Sequence, residues 1–357
     1  MLELLNNKYN FNHMLNQQKQ TIFEKKNVLV IGGAGFIGSH LCDELIKNSK
    51  VICLDNFSTG EEKNIDHLLS DPNFKFINHD ITLPIELETL PELQLFKVNF
   101  QGIQEIYNLA CPHSPRNFNQ NKINTTLANS LGTKNSLDLA VKYKAKYLHF
   151  SSSVVYGPRI NENNKIDENY QGLVDFTSQR SSYDEGKRFA ETMVINYEEV
   201  YKLETKIMRL FRTYGPRMKL DDDQMIPDFI RNALDNTDLI INGDEKFSSS
   251  FCYVSDVIDA AVKMMEKDRS LILNVGSDNL INVTKLAQQI IDTIGSKSAI
   301  TYDKEHFFLT PLPLPNISKS LDEIGWIPII TLEKGLERTI YDLRASKGLR
   351  SVKSALT

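Results

Sequence analysis

Val28-Leu29-Val30-Ile31-Gly32-Gly33-Ala34-Gly35-Phe36-Ile37-Gly38-Ser39-His40 decides the fold. Its apolar start, Val28 to Ile31, reads as a buried parallel strand; the run breaks into glycines and resumes as an apolar-periodic helix through Leu41 and Leu45. Gly33, Gly35 and Gly38 satisfy G-x-G-x-x-G between strand and helix, the context that gives the motif meaning. Glycine there permits a tight turn, lets the backbone approach a pyrophosphate, and lets helix and strand pack closely. The free N–H groups at the helix start then face phosphate with the positive end of the dipole. A second apolar run, Val51-Ile52-Cys53-Leu54-Asp55, ends in an acid at about the 20-residue distance such sites use. A carboxylate there accepts hydrogen bonds from both ribose hydroxyls and repels a 2′-phosphate. Asn56-Phe57-Ser58-Thr59-Gly60 follows, with no arginine to receive such a phosphate, so NAD is expected rather than NADP.

Working outward, 357 residues can bury a full core, as one large or two unequal domains. Hydrophobic content of 41%, charged content of 24% and a mean hydropathy of −0.31 describe an ordinary soluble protein. A net charge of −5 and a pI near 5.9 argue against nucleic acid or an anionic membrane as partner. Cys42, Cys53, Cys111 and Cys252 lack C-x-x-C spacing and read as isolated reduced thiols. No apolar run approaches the ~18 residues of a membrane span. The cytoplasm is the expected compartment. Residues 1–24 are an Asn/Gln-rich extension without the basic start and apolar centre of a signal peptide.

From Asn27 to about Ser153 strands alternate with helices: Phe74–Ile77, Ile103–Leu109 and Tyr147–Ser151 continue the strands, and Ile123–Tyr143 has helical periodicity. That alternation predicts an α/β fold, a doubly wound parallel sheet covered on both faces. Ligands then sit beyond the carboxyl ends of the strands. The cofactor is therefore expected against Gly32, Gly33, Gly35, Phe36, Ile37, Gly38, Asp55, Asn56, Asp80, Ile81, Leu109 and Ala110. Tyr183–Tyr201 reads as a long helix and Thr205–Phe211 as a sixth strand. Beyond Gly215-Pro216 the alternation weakens. Residues 25–215 are expected to bind the cofactor. Residues 216–357 are expected to form a smaller mixed α/β substrate portion, interleaved with the last sheet elements at about 251–266. Pro311-Leu312-Pro313-Leu314-Pro315 is expected as a rigid exposed loop. Asp221-Asp222-Asp223 reads as three solvated acids, and no metal is expected.

Tyr183-Asp184-Glu185-Gly186-Lys187 places Tyr and Lys four apart, on one helix face. An ammonium beside a phenol favours phenolate and lowers its pKa, which suits Tyr183 as general base for a sugar hydroxyl. Ser152, at the end of the preceding strand, can hydrogen-bond the same oxygen.

With these residues in view the chain resembles an extended short-chain dehydrogenase/reductase, closest to the UDP-glucuronate decarboxylase (UDP-xylose synthase) branch. Matching segments run from Val28 to about Leu343. They include Gly32–Gly38, Leu54–Phe57, Ile77–Asp80, Tyr183–Arg188, Thr213-Tyr214-Gly215-Pro216-Arg217-Met218, Tyr253–Asp256 and Gly325-Trp326. The resemblance implies a Rossmann domain with a small C-terminal substrate domain. It also implies nucleotide-sugar substrates, and a homodimer built on the helices near 123–143 and 183–201. It makes Ser152, Tyr183 and Lys187 the catalytic trio, with Lys187 also holding the nicotinamide ribose.

The departures from the branch fall around the sugar. Ser-Thr-Ser-Glu-Val-Tyr-Gly appears here as Ser151-Ser152-Ser153-Val154-Val155-Tyr156-Gly157, so Val154 takes the glutamate position. Arg212 replaces the asparagine of Asn-Thr-Tyr-Gly-Pro, and Ser249 stands where an arginine usually grips phosphate. Another basic site of the branch falls in Pro311–Pro315, which has no basic residue, and His113 and Arg116 occupy places usually small or apolar. His113, Arg116, Arg212, Arg217 and Ser249 are the candidate substrate residues. The expected reaction is NAD-dependent oxidation at sugar C4, as epimerase or 4-oxidoreductase. UDP-glucuronate decarboxylation is the alternative, and a catalytically silent NAD sensor is a second one.

Overall fold

The computed structural model describes residues 25–112, 121–159, 165–303 and 312–356. Seven strands form one parallel sheet: β1 (Asn27–Ile31), β2 (Lys50–Asp55), β3 (Phe74–Asn78), β4 (Glu105–Asn108), β5 (Lys146–Ser152), β6 (Thr205–Leu210) and β7 (Leu271–Val275). Their order is β3-β2-β1-β4-β5-β6-β7. The order reverses between β1 and β4, and in such sheets the crevice above that reversal takes the ligand.

Each strand of the central sheet feeds both faces, because successive side chains point to opposite sides. Val28, Val30, Val51, Cys53, Leu148, Phe150 and Met208 join one buried cluster. Leu29, Ile31, Ile52, Leu54, Ile106, Tyr147 and Ile207 join the other. The first face is covered by helices Phe36–Leu45 and Val254–Met265, through Leu41, Leu45, Val257 and Ile258. The second is covered by helices Thr133–Tyr143 and Ser181–Tyr201, through Leu137, Ala140 and Val194. Burial on both faces explains why these strands read as continuous apolar runs.

Beyond residue 215 the chain returns to the sheet twice, as helix Val254–Met265 and as β7. The rest packs around helices Met225–Asp235 and Val283–Ile294 and a parallel strand pair, Leu239–Asn242 with Ile300–Asp303. Among the described residues no helix is long and apolar enough to cross a membrane.

Two local expectations need correction. The helix expected over 123–143 is interrupted: Lys122–Leu127 and Thr133–Tyr143 flank a π-turn at Ala128–Gly132. A π-turn accommodates one extra residue without ending the helix, and the stretch is too short for apolar periodicity to reveal the shift. The proline-rich stretch is not wholly an exposed loop: Leu314 and Pro315 are buried and pair in parallel with Lys165 and Ile166. A proline lacks only its own N–H, which a two-residue edge pairing tolerates. Residue 311 lies outside the described residues.

Candidate active site

A single cleft runs along the carboxyl edge of the sheet, from the glycine loop across β1 and β4 to β5 and β6. At its cofactor end the loop after β1 turns on Gly32, whose φ of +81° is left-handed, and whose N–H donates to Leu54 O at 2.7 Å. A Cβ on Gly38 would lie 2.1 Å from Gly32 O, and one on Gly33 would lie 2.5 Å from Cys53 Sγ. These glycines are what let the helix start close against the strand. Gly33 thus packs under the loop, while Gly32, Gly35, Phe36, Ile37 and Gly38 line the cleft.

Asp55 closes β2 with Oδ2 accepting Ala34 N–H at 2.9 Å and Oδ1 accepting Phe57 N–H at 2.8 Å. Burial pushes its carboxyl up, against the pull of those N–H groups. Each oxygen retains a second lone pair for a ribose hydroxyl. Asn56, Asp80, Ile81, Leu109 and Ala110 line the same end, and Asn56 Nδ2 donates to Asp80 at 3.2 Å. The Cβ-free cradle, the free helix N-terminus and the inward carboxylate together fit a dinucleotide without a 2′-phosphate.

At the other end β5 delivers Ser152, and helix Ser181–Tyr201 lays Tyr183 and Lys187 across it. Lys187 Nζ donates to Phe150 O at 2.7 Å, pinning the helix to the strand one turn from Tyr183. Burial pushes the Lys187 ammonium down, opposed by Cys111 and Glu191. The expected lowering of the Tyr183 pKa is overturned. Burial pushes the phenol well above its usual range and the Cys111 sulfur adds to this, while a hydrogen bond with Ser152 and the charge of Arg180 pull it back. Desolvation of the half-buried phenol is the largest of these influences.

Of the candidate substrate residues, Arg212 faces the cleft. Its Nε donates to Ser249 Oγ at 3.1 Å and its guanidinium stands 6.0 Å from the Phe251 ring centroid. Burial, then the neighbouring charge of Arg180, push Arg212 down to about 10. It remains a cation at neutral pH. Ser249 is buried behind it and does not itself line the cleft. Arg217 lines the cleft, but its Nη2 is held by Asp43 at 2.7 Å and its backbone by Asp342 at 2.8 Å. His113 and Arg116 lie outside the described residues. Val154 and Ser153 are both buried at the cleft wall; among the described residues Ser153 Oγ has no hydrogen-bond partner.

Sequence reasoning missed Arg180 and Cys111. Arg180 precedes Tyr183 by three residues, the spacing that shares a helix face, and that was the available signal. Cys111 is brought to Lys187 by the loop after β4 and accepts from Asn129 Nδ2 at 3.3 Å, on the π-turn.

The family described as NAD dependent epimerase/dehydratase matches residues 28–276. UDP-glucuronic acid decarboxylase 6 of Arabidopsis thaliana is 37% identical over 331 residues, 90% of each chain. UDP-glucuronic acid decarboxylase 1 of Xenopus tropicalis is 36% identical over 90% of this chain and 73% of that protein. Among solved structures, UDP-glucuronic acid 4-epimerase from Bacillus cereus, complexed with UDP-glucuronic acid and NAD, superposes with a TM-score of 0.75. Its identity is 25%, over 90% of this chain and 99% of that one. UDP-glucose 4-epimerase from Thermotoga maritima gives a TM-score of 0.78 at 25% identity, over 90% and 99%. Strand order, glycine cradle and family match converge: the chain belongs to the NAD-dependent epimerase/dehydratase family and is an enzyme acting on nucleotide sugars.

Proposed function

We propose that this enzyme oxidises a UDP-hexuronate at C4 and reduces it again from the other face, as a 4-epimerase. NAD, when bound, supplies the hydride acceptor and donor for that carbon. Ser152 orients the 4-hydroxyl, Tyr183 takes its proton and later returns it, and Lys187 holds the cofactor ribose. Residues 25–215 hold the cofactor, and 216–357 mainly the sugar nucleotide. Arg212 supplies the phosphate charge that Ser249 cannot, and the contact between the two puts the gained cation beside the lost one. Arg180 brings positive charge to the reacting end, where it suits a uronate carboxylate.

The observation that carries this reading is Val154, buried in the cleft wall where the resembled decarboxylase branch carries glutamate. Decarboxylation leaves an enolate that must be protonated at C5, and neither an isopropyl group nor the Ser153 hydroxyl is an adequate acid. Epimerisation needs no such group. Product analysis by NMR after incubation with UDP-glucuronate and NAD tests the reading: the C4 epimer is expected, and UDP-xylose as main product would overturn it. The second reading, decarboxylation, is favoured by 37% identity to a decarboxylase over 90% of each chain.

The partner we propose is a second copy. Ile123, Leu131, Phe189 and Ile195 are exposed apolar residues on the two helices expected to pair. Light scattering should give twice the chain mass. The four free cysteines favour the cytoplasm.

A further inference from the structure

Tyr183, Lys187 and Glu191 recur every four residues along helix Ser181–Tyr201, so all three face the sheet. Glu191 is 5% exposed and unused by the chemistry above. Its Oε1 accepts from Ser151 Oγ at 2.5 Å, the residue next to Ser152. Arg209, opposite Ser151 in the register of β5 and β6, forks onto it through Nε at 3.0 Å and Nη2 at 2.6 Å. The remaining Arg209 nitrogen, Nη1, donates to Tyr156 Oη at 2.9 Å and Glu168 O at 2.8 Å. Tyr156 ends the short turn that begins at Ser153, and its hydroxyl donates to Asn274 of β7 at 2.6 Å. One buried pair thus touches the strand, turn and helix that carry Ser152, Val154 and Lys187.

We propose that Glu191 and Arg209 are positioning residues for this reaction: the pair fixes the register of helix and strand at Ser152 and Lys187, and the Glu191 carboxylate sustains the Lys187 ammonium. A buried charge pair that served packing alone would be replaceable by apolar side chains at little cost. This pair instead also bonds Ser151 through Glu191 Oε1, and Tyr156 and Glu168 through Arg209 Nη1, on either side of the catalytic strand and turn. Lys187 is faced by Tyr183 and Glu191 from its own helix, His149 from β5, Cys111 after β4, and Arg209 beyond Glu191. Burial holds His149 neutral. Glu191, four residues on along the same helix face, is the carboxylate that supports the ammonium, and removing it would also leave the Arg209 charge uncompensated.

The turnover arm rests on the proposed C4 chemistry; the binding arm does not. NAD affinity is measured from neutral to alkaline pH in wild type, Glu191→Gln, Arg209→Lys and a Lys187→Met baseline, with UDP-glucuronate turnover in the same preparations. Wild type should lose affinity as Lys187 deprotonates, and the baseline should not show that loss. Glu191→Gln should move the loss to lower pH. Arg209→Lys keeps both charges but cannot fork, so its midpoint should stay while turnover falls about tenfold or more. Folded Glu191→Gln with the wild-type midpoint, or Arg209→Lys with undiminished turnover, overturns the proposal. If Glu191→Gln does not fold, Glu191→Asp decides: an unmoved midpoint with reduced turnover supports it, and full turnover refutes it. If wild type leaves UDP-glucuronate untouched, the proposed substrate fails and the affinity midpoints still decide the role of Glu191.

Discussion

Replacing Arg212 by alanine should separate binding from stability. Arg212 is half-buried, its guanidinium held by one hydrogen bond to Ser249 at 3.1 Å and set against the charge of Arg180, which after burial helps push it down to about 10. Truncation removes that repulsion, so the melting temperature should stay level or rise. Binding should suffer, because a buried cation facing a phosphate is lost. Truncating one partner of such a pair costs about 2–5 kcal/mol, and tenfold in Kd corresponds to roughly 1.4 kcal/mol. Arg180 remains in the cleft and Ser249 keeps its hydroxyl, so the lower end is expected, about a 30-fold rise in substrate Kd. Isothermal titration with a UDP-sugar and UDP alone, beside a thermal melt, measures both quantities. Unchanged affinity would refute the assignment of Arg212 to phosphate. Lost affinity together with a lower melting temperature would instead make the residue structural.

Four further outcomes are expected. Asp55→Ala should weaken NAD and relax discrimination against NADP, and wild type that binds NADP as well as NAD would contradict the reading of that carboxylate. Tyr183→Phe should abolish C4 oxidation with cofactor affinity nearly intact. Because burial raises the Tyr183 pKa, more base forms as pH rises, so with NAD kept saturating the wild-type oxidation rate should climb above neutral pH before Lys187 deprotonates; a saturated rate with no rising limb would place the base elsewhere. Gly38→Ala should cost NAD binding outright, since the added methyl would sit 2.1 Å from Gly32 O, and dialysis equilibrium with NAD would show an unaltered Kd if the cradle is looser than described.

The cofactor half was legible because its signals are local. A glycine loop between an apolar run and a periodic helix, and an acid closing the next run, are fixed by backbone geometry within a few dozen residues. Strands buried on both faces announced themselves by composition alone. The substrate half was less legible because its groups meet through space. Arg217 matches a family segment, yet one nitrogen of its guanidinium is held by Asp43, a residue of the glycine-loop helix that no spacing rule connects to it. Arg180 gave only a three-residue offset from Tyr183. The Tyr183 pKa was misjudged because desolvation, which sequence does not show, exceeds the neighbouring charge. The π-turn at Ala128–Gly132 escaped for a similar reason: it changes backbone hydrogen bonding over a stretch too short for the apolar pattern to show.

The central claim is that the cleft oxidises C4 without equipping C5 for proton transfer. Carbon dioxide release and C4 epimer formation from UDP-glucuronate, followed together in wild type and Val154→Glu, test it most directly. Positioned proton transfer is worth about 10²–10⁴-fold in rate. Wild type should therefore give the epimer with only slow carbon dioxide release, and Val154→Glu should gain UDP-xylose. Rapid release of carbon dioxide and UDP-xylose by wild type, unimproved in Val154→Glu, would contradict the account and make the chain a decarboxylase.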